Sequence, residues 1–212
     1  MHRELVHQIG REEFDYLALM AALSNYAKPR DRVTTLLRRG DIIRVKKGLY
    51  VFGEAKQRRP YSRELLANLV YGPSFVSLES ALSFWGLIPE RVEAVTSITS
   101  KRPKRFDTPL GAFIYRSSPR DVFALGMQRI EEGDVAFLIA SGERALADKL
   151  RDDRRSAPRT LTEMARYLFD DLRVDEDAFD TLDPCILDTL AKALRSRKVA
   201  LCATLARKRT SR

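Results

Sequence analysis

The chemistry on offer in this chain is cationic. From Lys28 to Phe52 it reads KPRDRVTTLLRRGDIIRVKKGLYVF, where Lys28, Arg30, Arg32, Arg38, Arg39, Arg44, Lys46 and Lys47 face only Asp31 and Asp41. Ammonium and guanidinium groups neutralise phosphates, and a guanidinium also pairs with the guanine edge in a major groove. Thr34 and Thr35 lie among them. A threonine hydroxyl can donate to phosphate, and its methyl can touch a thymine methyl. These ten residues form the predicted DNA-binding set.

Two elements must position them. Val33, Leu36 and Leu37 fall at i, i+3 and i+4, the apolar stripe of a helix. At about 100° per residue, Lys28, Asp31, Thr35, Arg38 and Arg39 project away from that stripe, with Arg32 and Thr34 beside it. Pro29 suits the first turn and Gly40 the stop. Ile42 to Val45 and Leu49 to Phe52 then flank the turn Lys46-Lys47-Gly48, a short hairpin. Ile43, Val45, Leu49 and Val51 are expected to hold this hairpin to the helices. Upstream, REEFDYLALMAALSNYA has Phe14, Leu17, Ala18 and Ala21 at helical spacing and predicts one amphipathic helix. Helix, helix and basic hairpin is the order of a winged helix-turn-helix, assigned to residues 1–55, with double-stranded DNA as partner. A solvated basic helix face is the plainer alternative, and winged helices also serve as protein-binding modules.

The polar stretch around residues 56–60, in GEAKQRRPY, reads as a linker. Residues 61–212 form the second predicted unit, a mixed α/β domain with a helical C-terminal tail, so the fold class is α+β. Ser62 caps a helix that stops at Gly72-Pro73, and Ser77 caps another ending at Gly86. VEAVTSITSK and GAFIYRSS are strand-like and flank RPKRFDTPL, and DVAFLIA is a further strand. Ser141 caps the next helix, Thr160 with Glu163 makes a capping box, and Asp183-Pro184 opens the last helical run. Arg102, Lys104 and Arg105, in KRPKRF, are assigned as a second phosphate contact, with a merely exposed turn as the alternative.

Composition excludes several classes. Of 212 residues, 44% are apolar and 32% charged, enough for ordinary cores, and the net charge of +9 favours acidic partners. No apolar run reaches the roughly 20 residues of a membrane span, and MHRELVHQIGREEFDYL lacks the apolar stretch of a secretory signal. A cytoplasmic protein with no membrane partner is expected. His2 and His7 are the only histidines, and no HExxH, Gly-rich phosphate loop or Gly-x-Ser-x-Gly occurs. The acidic stretch DDLRVDEDAFDTLD lacks the spacing of a calcium loop. No catalytic residue, metal site or cofactor is therefore assigned, and a nucleic-acid-processing enzyme is the remote alternative. Cys185 and Cys202 are read as core thiols rather than a disulfide.

LLRRGDIIRVKKGLYVF, SFVSLESALSFWGLIPE, VTSITSKRPKRFDTPLGAFIYRS and IASGERALADKL, in that order, resemble the AbiEi antitoxins of bacterial type IV toxin–antitoxin systems, which are linked to abortive infection. The resemblance runs from about residue 12 to 151. It implies an N-terminal winged helix-turn-helix that binds and represses its own promoter. It implies too a C-terminal domain that counters a nucleotidyltransferase toxin functionally, without an assumed stable complex. The chain departs from the family at Gly142 and Arg144, where proline and lysine are common, and at Trp85, often tyrosine. A winged-helix regulator with no toxin partner is the alternative under the same resemblance.

Overall fold

The computed structural model describes residues 2–90 and 92–210, with side chains from Leu5 onward. Met1 and residues 211–212, which the expected unit boundaries include, lie outside the described residues. The first elements are α1 (His2–Ile9), β1 (Glu13–Asp15), α2 (Tyr16–Ala22), α3 (Pro29–Arg38), β2 (Ile42–Lys46) and β3 (Leu49–Phe52). The three strands make an antiparallel sheet in the order β1-β3-β2.

The single helix expected over residues 11–27 is instead a strand followed by a shorter helix. Glu13, Phe14 and Asp15 pair with Val51, Tyr50 and Leu49. Asp15 then caps α2, its Oδ1 accepting from the Ala18 amide at 2.7 Å. The apolar set spanning this switch shares no face: Phe14 is buried, with its ring centroid 4.7 Å from that of Phe52, while Leu17 is 77% exposed.

Leu5, Leu19, Leu23, Val33 and Leu36 close a core over Phe14, Ile42, Tyr50 and Phe52. The opposite face of the hairpin, Val45, Leu49 and Val51, belongs to the core of the remaining chain. This reverses the expected orientation of Val45, Leu49 and Val51, and of Ile43, which packs half-buried against the same core. Alternate strand residues point to opposite faces, and all four residues of β3 are buried because both faces are covered.

Downstream lie α4 (Arg63–Val70), β4 (Ser74–Val76), α5 (Leu78–Phe84), β5 (Val95–Thr99), β6 (Lys104–Thr108), β7 (Gly111–Ser117), β8 (Met127–Glu132), β9 (Val135–Ala140) and α6 (Gly142–Asp152). The strands form a six-stranded mixed sheet, β6-β7-β5-β4-β9-β8. β5 runs parallel to β7 and β4 to β9; the other pairs are antiparallel. The chain is thus mixed α+β. The sequence RPKRF, expected as a turn, contributes strand β6, and β8 was not expected: its MQRIEE pattern leaves mainly Ile130 to mark an apolar side.

The C-terminal helices are α7 (Leu161–Arg166), continued by a π-helical turn (Tyr167–Asp171), α8 (Glu176–Asp180), α9 (Pro184–Ala193) and α10 (Arg197–Thr210). Thr160 caps α7 as expected, while Glu163 reaches back to the Arg159 amide. The final run is broken at Arg195, which has φ 50°. Cys202 is buried, and burial raises its thiol to about 12; Cys185 is exposed, so only one of the two is a core thiol. Among the described residues no helix is long and apolar enough to cross a membrane.

A charged network lies at the centre of this part. Arg144 is 0% exposed. Its Nε donates to Asp148 Oδ2 at 2.9 Å, Nη1 to the carbonyls of Val122 and Leu125, and Nη2 to Ser118 Oγ. Ser77 Oγ also donates to Asp148 Oδ2, at 2.8 Å, instead of capping α5. Burial raises the Asp148 carboxyl, and Arg144 and Ser77 oppose that shift.

Candidate nucleic-acid interface

The segment read as a linker is anchored on both sides. Gln57 donates to the Phe52 carbonyl, and Arg58 Nε reaches Glu12 Oε1 at 3.2 Å. Arg59 holds Glu13 and Asp134 together, at 3.0 and 2.8 Å. The Ser62 amide donates to Glu13 Oε1 at 2.5 Å, so Glu13 joins β1 to the start of α4. The basic helix and hairpin are therefore presented on a supported base.

Helix α3 buries Val33 and Leu36 and exposes Lys28, Arg30, Asp31, Thr34, Arg38 and Arg39. Asp31 in the first turn and Arg38 in the last complement the helix dipole, which by itself explains part of the charge placement. Arg32 is half-buried, its guanidinium 5.5 Å from the Tyr26 ring centroid. The Thr34 and Thr35 hydroxyls donate back to the carbonyls of Arg30 and Asp31 at 3.3 and 3.0 Å. Their protons are thus spent within the helix, and what they present outward is a methyl group and an accepting oxygen. This revises the expected donation to phosphate.

Gly40 (φ 71°) ends the helix, and the Gly53 amide donates to the Asp41 carbonyl at 2.9 Å. A Cβ on Gly53 would stand 1.9 Å from the Gly40 carbonyl oxygen, so glycine alone lets β3 pass so close to the end of α3. At the hairpin tip Gly48 (φ 85°) accepts from the Tyr16 amide, which fixes the tip to the start of α2. Lys47 is exposed there and Arg44 is exposed on β2. Among the described residues none of Lys28, Arg30, Arg38, Arg39, Arg44 and Lys47 has a carboxylate within ion-pair distance.

Lys46 is engaged within the protein. Its ammonium donates to the Val70 carbonyl at 2.6 Å, at the C-terminal end of α4, rather than projecting from the tip. Burial lowers its proton affinity, and nearby Lys101 and Lys104 lower it further. Lys101 donates to the Gly72 carbonyl at 2.6 Å and lies 5.5 Å from the Tyr71 ring centroid. Lys104 lies 4.8 Å from the Phe106 ring centroid and 5.9 Å from that of Tyr71. The structure thus joins the hairpin to part of the second predicted contact through Lys46, Lys101 and Lys104.

Arg105 belongs to the other side. Strand alternation separates it from Lys104, and it pairs with Asp107 at 2.8 Å. Hydrogen bonding to Asp107 raises Arg105, and the same contact lowers Asp107; both side chains are largely exposed, where such pairs contribute little. Arg102 is exposed, and its carbonyl accepts from Tyr71 OH at 3.3 Å. Lys101 was not singled out from the sequence, although it opens the same KRPKRF run.

No family model matches the chain, and no curated protein matches it either. Its surface offers unpaired cations on one helix and one hairpin, methyl groups between them, and an aromatic-backed lysine cluster adjoining the hairpin. Cations so arranged have the chemistry to neutralise phosphates, and arginine that to pair with base edges. Among the described residues no three His, Cys, Asp or Glu side chains come together as a metal-binding group.

Proposed function

We propose that residues 1–55 are a winged helix-turn-helix that binds double-stranded DNA, with α3 as the recognition helix and the β2–β3 turn as the wing. The element order and the β1-β3-β2 sheet support this reading. The observation that carries it is the concentration of cationic side chains on one helix and one hairpin: Lys28, Arg30, Arg38, Arg39, Arg44 and Lys47 are all exposed, and among the described residues none has a carboxylate within ion-pair distance. In this reading Arg38 and Arg39 make base or phosphate contacts, Arg30 and Lys28 phosphate contacts at the start of the helix, and Arg44 and Lys47 phosphate contacts at the wing. Lys46 supports the wing instead of touching DNA.

The whole-chain function we propose is that of a transcriptional autorepressor and antitoxin of a type IV toxin–antitoxin system. The antitoxin half rests on the sequence resemblance alone. The residues beyond the wing would then oppose a nucleotidyltransferase toxin.

The test is a mobility-shift titration on the DNA upstream of the chain's own coding sequence, at several salt concentrations. Arg38→Ala/Arg39→Ala is expected to weaken binding and to flatten the salt dependence by about 0.9 per lost phosphate contact in log–log slope. An unchanged slope and midpoint would remove α3 from the interface. Coexpression with the neighbouring gene tests the second half: rescue from its toxicity supports the antitoxin reading, and no toxicity to rescue leaves a plain regulator.

A further inference from the structure

A concavity lies away from α3. It has a volume of about 910 Å³ and lies between the segment following α6 and the first turns of α10. Arg151, Arg154, Arg159 and Arg197 line it, with Pro158 and Leu201 as apolar surface. All four arginines are exposed, and among the described residues none has a carboxylate within ion-pair distance.

The other charges of the lining are already engaged. Lys198 donates to the carbonyls of Asp153 and Ser156, which ties α10 to the arginine-bearing segment. Asp153 is the one carboxylate among the lining residues. Its Oδ1 accepts from the amides of Arg155 and Ser156 at 2.9 and 3.4 Å, and its Oδ2 from Tyr167 OH at 2.7 Å. The groove is therefore held in shape by internal hydrogen bonds while its arginines stay unneutralised. Helix α10 adds to the imbalance: its first turn has no acid and begins with Arg197 and Lys198, at the end where the helix dipole is itself positive. Four like charges around one concavity repel each other, and a multiply charged anion relieves that repulsion.

We propose that this groove binds a compact oligophosphate, free or carried by a nucleoside. Guanidinium forks match phosphate oxygens in paired hydrogen bonds. The volume suits a single small molecule. No aromatic side chain is among the lining residues, so the groove lacks the stacking platform that single-stranded nucleic acid uses. Phosphates would meet the arginines, and a nucleoside, where present, would lie against Pro158 and Leu201. This site is separate in the sequence from the DNA-binding reading and does not depend on it.

The test is calorimetric titration of the full chain with inorganic tripolyphosphate and with ATP. Both are expected to bind. Arg154→Gln/Arg159→Gln is expected to weaken binding by about tenfold or more, while Arg38→Gln/Arg39→Gln leaves it within about twofold. Arg197→Gln, on a different element, gives a second reading should the double variant fold poorly, which thermal melts would reveal. ATP binding tighter than tripolyphosphate assigns a nucleoside-borne ligand; equal affinities assign a free oligophosphate, and either supports the site. Absence of binding at about 1 mM probe overturns it. Equal losses in the groove and α3 variants overturn it in favour of diffuse charge, and groove-dependent binding of a DNA duplex alone overturns it in favour of a backbone-tracking surface.

Discussion

Lys46 Nζ stands 2.6 Å from the carbonyl oxygen of Val70, so the basic hairpin is fastened to the C-terminal end of α4. That carbonyl is among those a helix end leaves without an intrahelical donor, and a lysine there meets the negative end of the dipole. The opposing influences are burial and the nearby Lys101 and Lys104 ammonium groups, which together lower Lys46. Lys46→Ala is expected to lower stability by about 1–2 kcal/mol at neutral pH, from loss of a charged hydrogen bond. The sign with pH follows from the lowered value. Between the folded and the higher unfolded value the unfolded chain holds the extra proton, so raising pH through that window stabilises the native state. The wild type should gain stability relative to Lys46→Ala as pH approaches the ordinary lysine value of about 10.4. Urea unfolding of both proteins across that range checks it.

The Arg144–Asp148 pair makes a different expectation. Both side chains are fully or almost fully buried, and Asp148 Oδ1 has no hydrogen-bond partner among the described residues. Arg144→Ala removes the cation and the donors to Val122, Leu125 and Ser118 while leaving the carboxylate in place. Removing one partner of a buried pair costs roughly 3–5 kcal/mol, whereas replacing both by apolar residues of similar volume is often close to neutral. Arg144→Met/Asp148→Leu should therefore unfold at higher urea than Arg144→Ala. Denaturation midpoints at constant slope decide it.

The gap between sequence and structure has the same physical origin in several places. Local signals were legible: Pro29 opening α3, Gly40 ending it, and the caps Ser62, Ser141 and Asp183 all sit where the expected helices begin or end. What failed were faces and partners set by distant chain. Phe14 keeps helical spacing with Leu17 but pairs across to Tyr50. Lys46 reads as a tip residue until α4 supplies Val70. Arg144 and Asp148 sit at i and i+4, a spacing common on exposed helix faces, and only the packing of β4 and the β7–β8 connection buries them. The unpaired cations of α3 were legible because an exposed helix face needs no distant partner. The arginines after α6 were not, because their convergence with Arg197 requires α10 to return beside them.

Glycine at position 53 makes a third expectation. The approach of β3 to the end of α3 places backbone, not a flexible side chain, where a Cβ would go. Gly53→Ala should destabilise the chain by about 3 kcal/mol, the upper end of the usual overpacking range, because the atoms it meets are backbone. Gly40→Ala meets no neighbour within 4 Å and bears only the strain of its positive φ, about 1–2 kcal/mol. Thermal melts of the two variants should rank in that order, and a milder loss at Gly53 than at Gly40 would contradict the packing.

Tyr167 and Asp153 supply a test on the acid side. Tyr167 OH donates to Asp153 Oδ2 at 2.7 Å, and this contact is the leading reason that the carboxyl is held below the ordinary aspartate range. Burial raises the Tyr167 phenol, so at neutral pH it remains a donor. Tyr167→Phe keeps the ring and deletes only the hydrogen bond, with an expected loss of about 1–2 kcal/mol. A carboxyl lowered in the native state contributes stability that is complete above the unfolded value, about 3.9, and vanishes as pH falls through the lower folded value. The difference between wild type and Tyr167→Phe should hold steady from neutral pH down to about 4 and then shrink. Urea titrations at stepped pH would show this, and a difference that grew on acidification would mean that the carboxyl is not the group the phenol holds charged.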